Sequence, residues 1–410
     1  MTGQSTVDAV GLFVALIAGG AIASLIARRF AALPDSVALV LLGLGIAALV
    51  PSERFTITPE LVLAVLVPGL VFEAAYRLDL DELRRTFLGA VVLAVPGVIV
   101  SAGVIALILT LVVGLPFSLS FVVGSIVSAT DPVAVIATFR RLGAPARLTT
   151  LVEAESLFND GTAVVVFTIA VQAMSRQVPI SDALATFVVT VAASVIIGLV
   201  LGVIATAVMA IAHDHLIEVA ISVALAYGAY LTADRLHQSG IIATVVAGIV
   251  LGTFGRRLRL SPRTFDALDE IWEFIAFVLT ALVFLLIGMA ITIGQLADDA
   301  APIVVGVVAV LISRAIVVYG LFGGGARLLH AMRRGPRIDR SWLHLLLWGG
   351  LRGAIAVALA LSLPADLPDR TRLQSIVFGI TLFTLLVQGT TTDLLLGRLG
   401  IHESRADTPG

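Results

Sequence analysis

Long apolar stretches, separated by short polar ones, run along the whole chain. A helix that crosses a bilayer needs about 20 mostly apolar residues, and about thirteen such runs occur here. They cover residues 7–27, 34–50, 61–75, 87–113, 117–139, 148–174, 183–212, 216–232, 240–254, 272–293, 301–322, 342–363 and 373–396. The pattern therefore predicts an all-α polytopic membrane protein.

The composition excludes several other classes of protein. Hydrophobic residues make up 59% of the 410-residue chain and charged residues only 13%, whereas a soluble domain has about 45–50% and about 25%. The net charge of −2 argues against a nucleic-acid partner, and the absence of cysteine excludes disulfides and thiolate metal sites. Because no long polar segment occurs, we predict a single transmembrane domain without a soluble regulatory module, followed by a short cytoplasmic tail at 397–410.

The basic residues predict the orientation, since cytoplasmic loops collect positive charge. All 26 basic residues are arginine. With the N-terminus outside, 19 of them fall on the cytoplasmic side and 5 outside. The first run lacks the positive N-terminal end of a signal peptide, because that end carries Asp8 and no arginine, whereas Arg28 and Arg29 follow the run. We therefore predict an outside N-terminus and a cytoplasmic C-terminus.

A few charged residues interrupt the apolar runs. A charge at the centre of a bilayer costs about 2.5–3.5 kcal/mol on insertion scales, so such residues face protein or water and usually have a function. The main ones are Glu73, Asp131, Glu155, Asp160 and Arg352.

Two runs are expected to be broken helices. Pro132 removes a backbone donor and disfavours helical geometry at Asp131, and Thr130 and Asp131 suit the cap of a second half-helix. Gly350 and Gly353 weaken the twelfth run in a similar way. Backbone groups freed at membrane depth are tolerated where they line a cavity or meet protein partners.

The positions of the two breaks predict an internal repeat. If residues 7–174 and 216–396 are two repeats of six runs each, the broken helix is the fifth run in both. A single linker helix at 183–212 then inverts the second repeat relative to the first in the membrane. Inverted repeats with broken helices place an ion site near the midplane in many secondary transporters.

The sixth run carries oxygen atoms suited to a small cation. Ser156 and Asp160 are four residues apart, so their oxygens can meet one ion. Alkali ions prefer oxygen ligands, including carbonyls freed by a helix break. Desolvation disfavours a charged carboxyl, so Asp160 could hold either a proton or a cation. Competition between these two ligands for one site is the minimum requirement for exchange.

Four motifs make the chain similar to the sodium/proton exchanger family, in particular to its prokaryotic NhaP-like branch. The motifs are Ala-Thr-Asp-Pro-Val at 129–133, Glu-Ser-Leu-Phe-Asn-Asp-Gly-Thr at 155–162, Gly-Leu-Arg-Gly-Ala at 350–354 and Phe-Glu-Ala-Ala-Tyr-Arg-Leu-Asp at 72–79. They occur in the family's order, and the similarity extends over almost the whole chain.

This resemblance implies the antiporter fold with crossed discontinuous helices and a homodimer in the prokaryotic cell membrane, active in pH homeostasis. A dimer domain would support a six-helix core that moves across the membrane. Asp160 would be the carboxylate shared by Na⁺ and H⁺, with Thr130, Asp131 and Ser156 around the ion and Glu73 near it through water. The transported ions would be Na⁺ or Li⁺ and H⁺, with no cofactor.

The resemblance also assigns supporting roles. Asn159 would brace the site and, as the residue before the transport aspartate, implies electroneutral one-for-one exchange. Both the residues and the resemblance suggest a structural ion pair between Glu155 and Arg352.

Three alternatives to Na⁺/H⁺ exchange are open. K⁺ could be the main cation, since the sequence gives ligand types and not cavity size. Asp131 and Asp160 could form the dyad of an intramembrane aspartyl protease, although the family signatures of such proteases are missing. A passive channel would pass current, which electroneutral exchange does not. The sequence favours a transporter over an enzyme.

Overall fold

The computed structural model describes residues 14, 17–23, 25, 34–49, 58–175, 178–212, 214–257, 261–331 and 339–399. Within these ranges the regular secondary structure is helical and contains no strand, which confirms the predicted all-α class. The helices are α1 (Asp35–Leu49), α2 (61–77), α3 (Leu80–Val113), α4 (Phe117–Ile126), α5 (Val133–Leu142), α6 (Ala146–Ser175), α7 (Ile180–Ala212), α8 (His215–Arg235), α9 (Gly240–Arg257), α10 (Pro262–Ala290), α11 (Ile293–Asp298), α12 (300–331), α13 (Arg340–Trp348), α14 (Ala354–Leu361) and α15 (Arg370–Leu399).

The helices follow the predicted apolar runs closely. In the described residues, seven helices are long and apolar enough to cross a membrane, and the others are shorter or broken. The fifth run divides into α4 and α5 and the twelfth into α13 and α14, as Pro132 and the glycines predict. Most of the first run and most of the tail lie outside the described residues.

The helix of the tenth apolar run begins ten residues before the run itself, which starts at residue 272. Helix α10 starts at Pro262, where the Ser261 hydroxyl accepts a hydrogen bond from the Thr264 amide at 3.1 Å. The first turns carry acidic residues such as Asp266 and Asp269, which lower the hydropathy without ending the helix. A hydroxyl cap and good helix formers are sufficient to extend α10 beyond the apolar core.

Contacts sort the helices into two bundles. Helices α1, α2, α7, α8, α9 and α10 form the first bundle, and α3, α4, α5, α6, α12, α13, α14 and α15 form the second. Both broken helices belong to the second bundle. Close helix packing in the first bundle depends on small residues, as at Gly198 on α7, where a side chain would meet the backbone of Ala243 on α9.

Candidate ion-binding site

The break between α4 and α5 is held by polar side chains of α6. The Asn159 Oδ1 atom accepts from the Thr130 amide at 3.1 Å, and Asn159 Nδ2 donates to Thr130 Oγ1 at 2.6 Å. Ser156 Oγ donates to the Thr130 carbonyl. All three residues are buried, so α6 satisfies the backbone groups that the break frees at membrane depth.

The two breaks contact each other directly at Asp131. The Asp131 amide donates to the Leu351 carbonyl at 2.8 Å. Its carboxylate accepts from the Val133 amide at 3.0 Å, at the start of α5, and the Ala354 amide at the start of α14 also interacts with it. A carboxylate between two helix N-termini stabilises both half-helices, because each N-terminus carries partial positive charge.

Gly353 makes this close approach possible. A Cβ atom at position 353 would overlap the carboxylate of Asp131. The glycine therefore does more than weaken the twelfth run, since only a residue without a side chain lets the two breaks pass each other here.

Arg352 caps the C-terminal end of α4. Its Nη1 atom donates to the carbonyls of Ser128 at 3.1 Å and Ala129 at 3.0 Å, and only 1% of the residue is exposed. These carbonyls lose helical partners at the break. A guanidinium group at this position satisfies them and compensates the partial negative charge of the helix end.

The predicted ion pair between Glu155 and Arg352 is wrong, because Glu155 pairs with Arg314 on α12. Arg314 Nη2 lies 3.0 Å from Glu155 Oε2, and Nη1 contacts Oε1, so the pair is bidentate. Arg314 Nε also donates to the Leu346 carbonyl of α13 at 2.9 Å. Arg352 instead binds the carbonyls of Ser128 and Ala129. Gly350 leaves room for Arg314, since a Cβ there would lie 2.9 Å from the Arg314 Nε atom.

A cavity of about 350 Å³ lies between the two bundles and reaches Asp160. Thr130, Asp131 and Ser156 line it together with Asp160, and helices α2 and α10 of the first bundle line its opposite side. Among the described residues the Asp160 carboxylate accepts no hydrogen bond, and the only charged group that interacts with it is Asp131. An unpaired carboxylate therefore faces the cavity beside hydroxyl and carbonyl oxygens.

Two ion pairs also line the cavity. Glu73 contacts Arg77 at 2.8 Å on α2, and Arg140 of α5 contacts Glu153 of α6 at 3.2 Å. All four side chains line the same cavity as Asp160. The structure thus brings Glu73 into the cavity but gives it Arg77 as a partner.

Two contacts of the site were not predicted from the sequence. Arg314 lies inside the eleventh apolar run, at 301–322, but the sequence does not indicate that Glu155 is its partner. Thr384 on α15 accepts a hydrogen bond from the Arg352 amide at 3.0 Å. The only sequence signal for it is the spacing of Thr381, Thr384, Gln388 and Thr392, which places polar residues on one helix face.

Comparison with known proteins identifies the family. The transmembrane sodium/hydrogen exchanger family matches residues 12–398. The chain is 40% identical over 392 residues to the Na⁺/H⁺ antiporter ApNhaP of Aphanothece halophytica, which covers 95% of this chain and 74% of that protein. It is 35% identical over 385 residues to the Na⁺/H⁺ antiporter NhaH of Halobacillus dabanensis, covering 90% and 92%.

A solved structure has the same fold. The sodium proton antiporter MjNhaP1 of Methanocaldococcus jannaschii matches with a TM-score of 0.80 and 19% sequence identity, over 96% of this chain and 99% of that one. The family match at 12–398 and the structural match both cover nearly the full length of the chain, including both broken helices and the residues around the cavity. The chain belongs to the sodium/hydrogen exchanger family.

Proposed function

We propose that this protein exchanges Na⁺ for H⁺ across the cell membrane, with Asp160 binding one ion or the other. The observation that carries the proposal is the unpaired Asp160 carboxylate in the cavity, beside Thr130, Asp131 and Ser156. The names of ApNhaP and NhaH, both Na⁺/H⁺ antiporters, support Na⁺ as the cation.

Oxygen chemistry explains how the site holds Na⁺. A hydroxyl group has two acceptor lone pairs besides its donor hydrogen. Ser156 Oγ can therefore keep its bond to the Thr130 carbonyl while a lone pair faces a cation. Together with the Asp160 carboxylate, this gives the mixed hard-oxygen environment that alkali ions prefer.

Two features favour electroneutral exchange. Asn159 cannot ionise, and its amide is engaged on both sides by Thr130. The Asp131 carboxylate is already engaged by the backbone amides at the starts of α5 and α14. Asp160 is then the group that alternates between a proton and a cation, so one H⁺ moves for each Na⁺.

Flux in proteoliposomes tests the function. With Na⁺ or Li⁺ on one side, we expect proton movement that is unchanged when the membrane potential is clamped at different values. K⁺ should drive exchange at less than about a tenth of the Na⁺ rate at equal concentration. This ratio corresponds to a free-energy difference of about 1.4 kcal/mol between the two cations. Faster exchange with K⁺ would identify the K⁺/H⁺ alternative. Current without proton coupling would identify a channel, and peptide cleavage would identify the protease.

The arginine distribution supports an inward-facing cavity. Arg77 and Arg140 line the cavity together with Asp160, and both fall on the predicted cytoplasmic side. Alternating access then follows if the second bundle moves against the first and exposes Asp160 to the other side. The predicted homodimer would hold the first bundle fixed during this motion.

Single cysteines test the orientation, because the chain has none of its own. Asp81→Cys lies at the start of α3, where the native side chain is 84% exposed. We expect an impermeant maleimide to label it only from the cytoplasmic side, and to label the matched variant Asp366→Cys, between α14 and α15, only from outside. The reverse labelling pattern would show that the topology is opposite to the predicted one.

A further inference from the structure

The segment between α13 and α14 is attached to helix α15 through Thr384. The Arg352 amide has no helical partner because it lies within the break. It donates to Thr384 Oγ1 at 3.0 Å, and the same hydroxyl donates to the Thr381 carbonyl at 3.0 Å. Arg352 and Thr384 are each only 1% exposed, so no solvent is available to replace this bond.

The attachment leads directly to the ion site. Leu351, next to Arg352, accepts from the Asp131 amide at 2.8 Å. The Arg352 side chain holds the carbonyls of Ser128 and Ala129, immediately before Thr130. The position of the 349–353 segment therefore sets the position of Thr130 and Asp131 in the cavity.

The backbone around Thr384 is adapted to this contact. Residues Thr384–Gln388 form a π-helical turn within α15. A π-helical turn shifts the side chains that follow it out of the regular helical register. Here the turn begins at the residue whose hydroxyl meets the break.

We propose that Thr384 is a positioning residue of the ion site, whose hydroxyl fixes the second break and, through it, the oxygens of the first. The inference rests on the proposed exchange of Na⁺ for H⁺. Thr384 does not line the cavity at Asp160, so it acts through Arg352 and Leu351 rather than on the ion.

The test separates positioning from folding by measuring Na⁺ half-saturation and maximal rate per folded protein. Thr384→Val keeps the shape of the side chain and strands the Arg352 amide. We expect about a tenfold rise in the Na⁺ concentration for half-maximal exchange, and a matching loss of Na⁺-dependent thermal stabilisation. Thr384→Ser should restore the parent values.

Thr392→Val is the matched control. Thr392 is also buried on α15, but its hydroxyl donates only to the Gln388 carbonyl of its own helix. We expect parental half-saturation from this variant. If Thr384→Val fails to fold, the comparison of Thr384→Ser with Thr384→Ala isolates the same hydroxyl.

Two results would overturn the inference while leaving the proposed function intact. One is parental Na⁺ half-saturation in Thr384→Val with only the maximal rate lowered, as a folding role predicts. The other is equal half-saturation in the Ser and Ala variants. Absence of Na⁺/H⁺ exchange in the parent would instead refute the proposed function.

Discussion

Asp160→Asn is expected to reduce Na⁺-driven proton flux to the background of protein-free vesicles. Asparagine has nearly the same shape as aspartate, but it carries no charge to attract Na⁺ and cannot take up the exchanged proton. No hydrogen bond is lost, because the Asp160 carboxylate makes none to another described residue. The measurement is proton movement on addition of Na⁺ to proteoliposomes.

Folding must stay intact for that loss to report on transport. Removing an unpaired charge from the cavity does not destabilise a protein, so the melting temperature of Asp160→Asn in Na⁺-free detergent should equal or exceed that of the parent. Asp160→Glu retains the carboxyl group and should keep measurable exchange. Exchange by Asp160→Asn at the parent rate would mean that another group carries the proton.

Arg314→Met is expected to give the largest loss of stability. It leaves the Glu155 carboxyl group, which is 1% exposed, without its bidentate partner. Breaking a buried pair on one side costs about 3–5 kcal/mol. The substitution also removes the Nε–H group that donates a hydrogen bond to the Leu346 carbonyl near the end of α13. Thermal unfolding in detergent measures the effect.

The double variant distinguishes an ion pair from a packing role. Glu155→Leu combined with Arg314→Met replaces both charges with apolar groups, which often recovers the stability lost in a single variant. Arg85→Met is the surface control, since Arg85 pairs with Glu82 while 68% exposed, and such pairs contribute about 0–1 kcal/mol. Equal effects of Arg314→Met and Arg85→Met would show that the Glu155 pair is unimportant.

Hydrophobic pattern and local breaker residues were sufficient to predict most of the described helices and both breaks. An apolar run of about 20 residues has few alternatives to a helix in a bilayer. Pro132 acts on its own neighbours, so its effect is readable from the adjacent residues. The residues predicted around the ion, Thr130, Asp131, Ser156 and Asp160, do line one cavity.

Contacts between distant helices could not be predicted in the same way. Glu155 had two arginines within apolar runs, and periodicity does not reveal which run lies beside α6. Arg352 was assigned to it because buried Glu–Arg pairs are common in helix bundles and the family resemblance implied this one. Its actual partners are carbonyl groups, which a sequence does not reveal. The Thr384 contact was missed for the same reason, since a backbone amide becomes a partner only once the break is folded.

The number of protons released for each Na⁺ bound tests the central claim most directly. It can be obtained by calorimetric titration of the purified protein with NaCl in buffers of different protonation enthalpy, with Asp160→Asn as the reference. We expect one proton for each Na⁺ at a pH where the site is protonated, and Na⁺ half-saturation that rises as the pH falls. Binding of Na⁺ without proton release at every pH would contradict the assignment of one carboxylate to both ions.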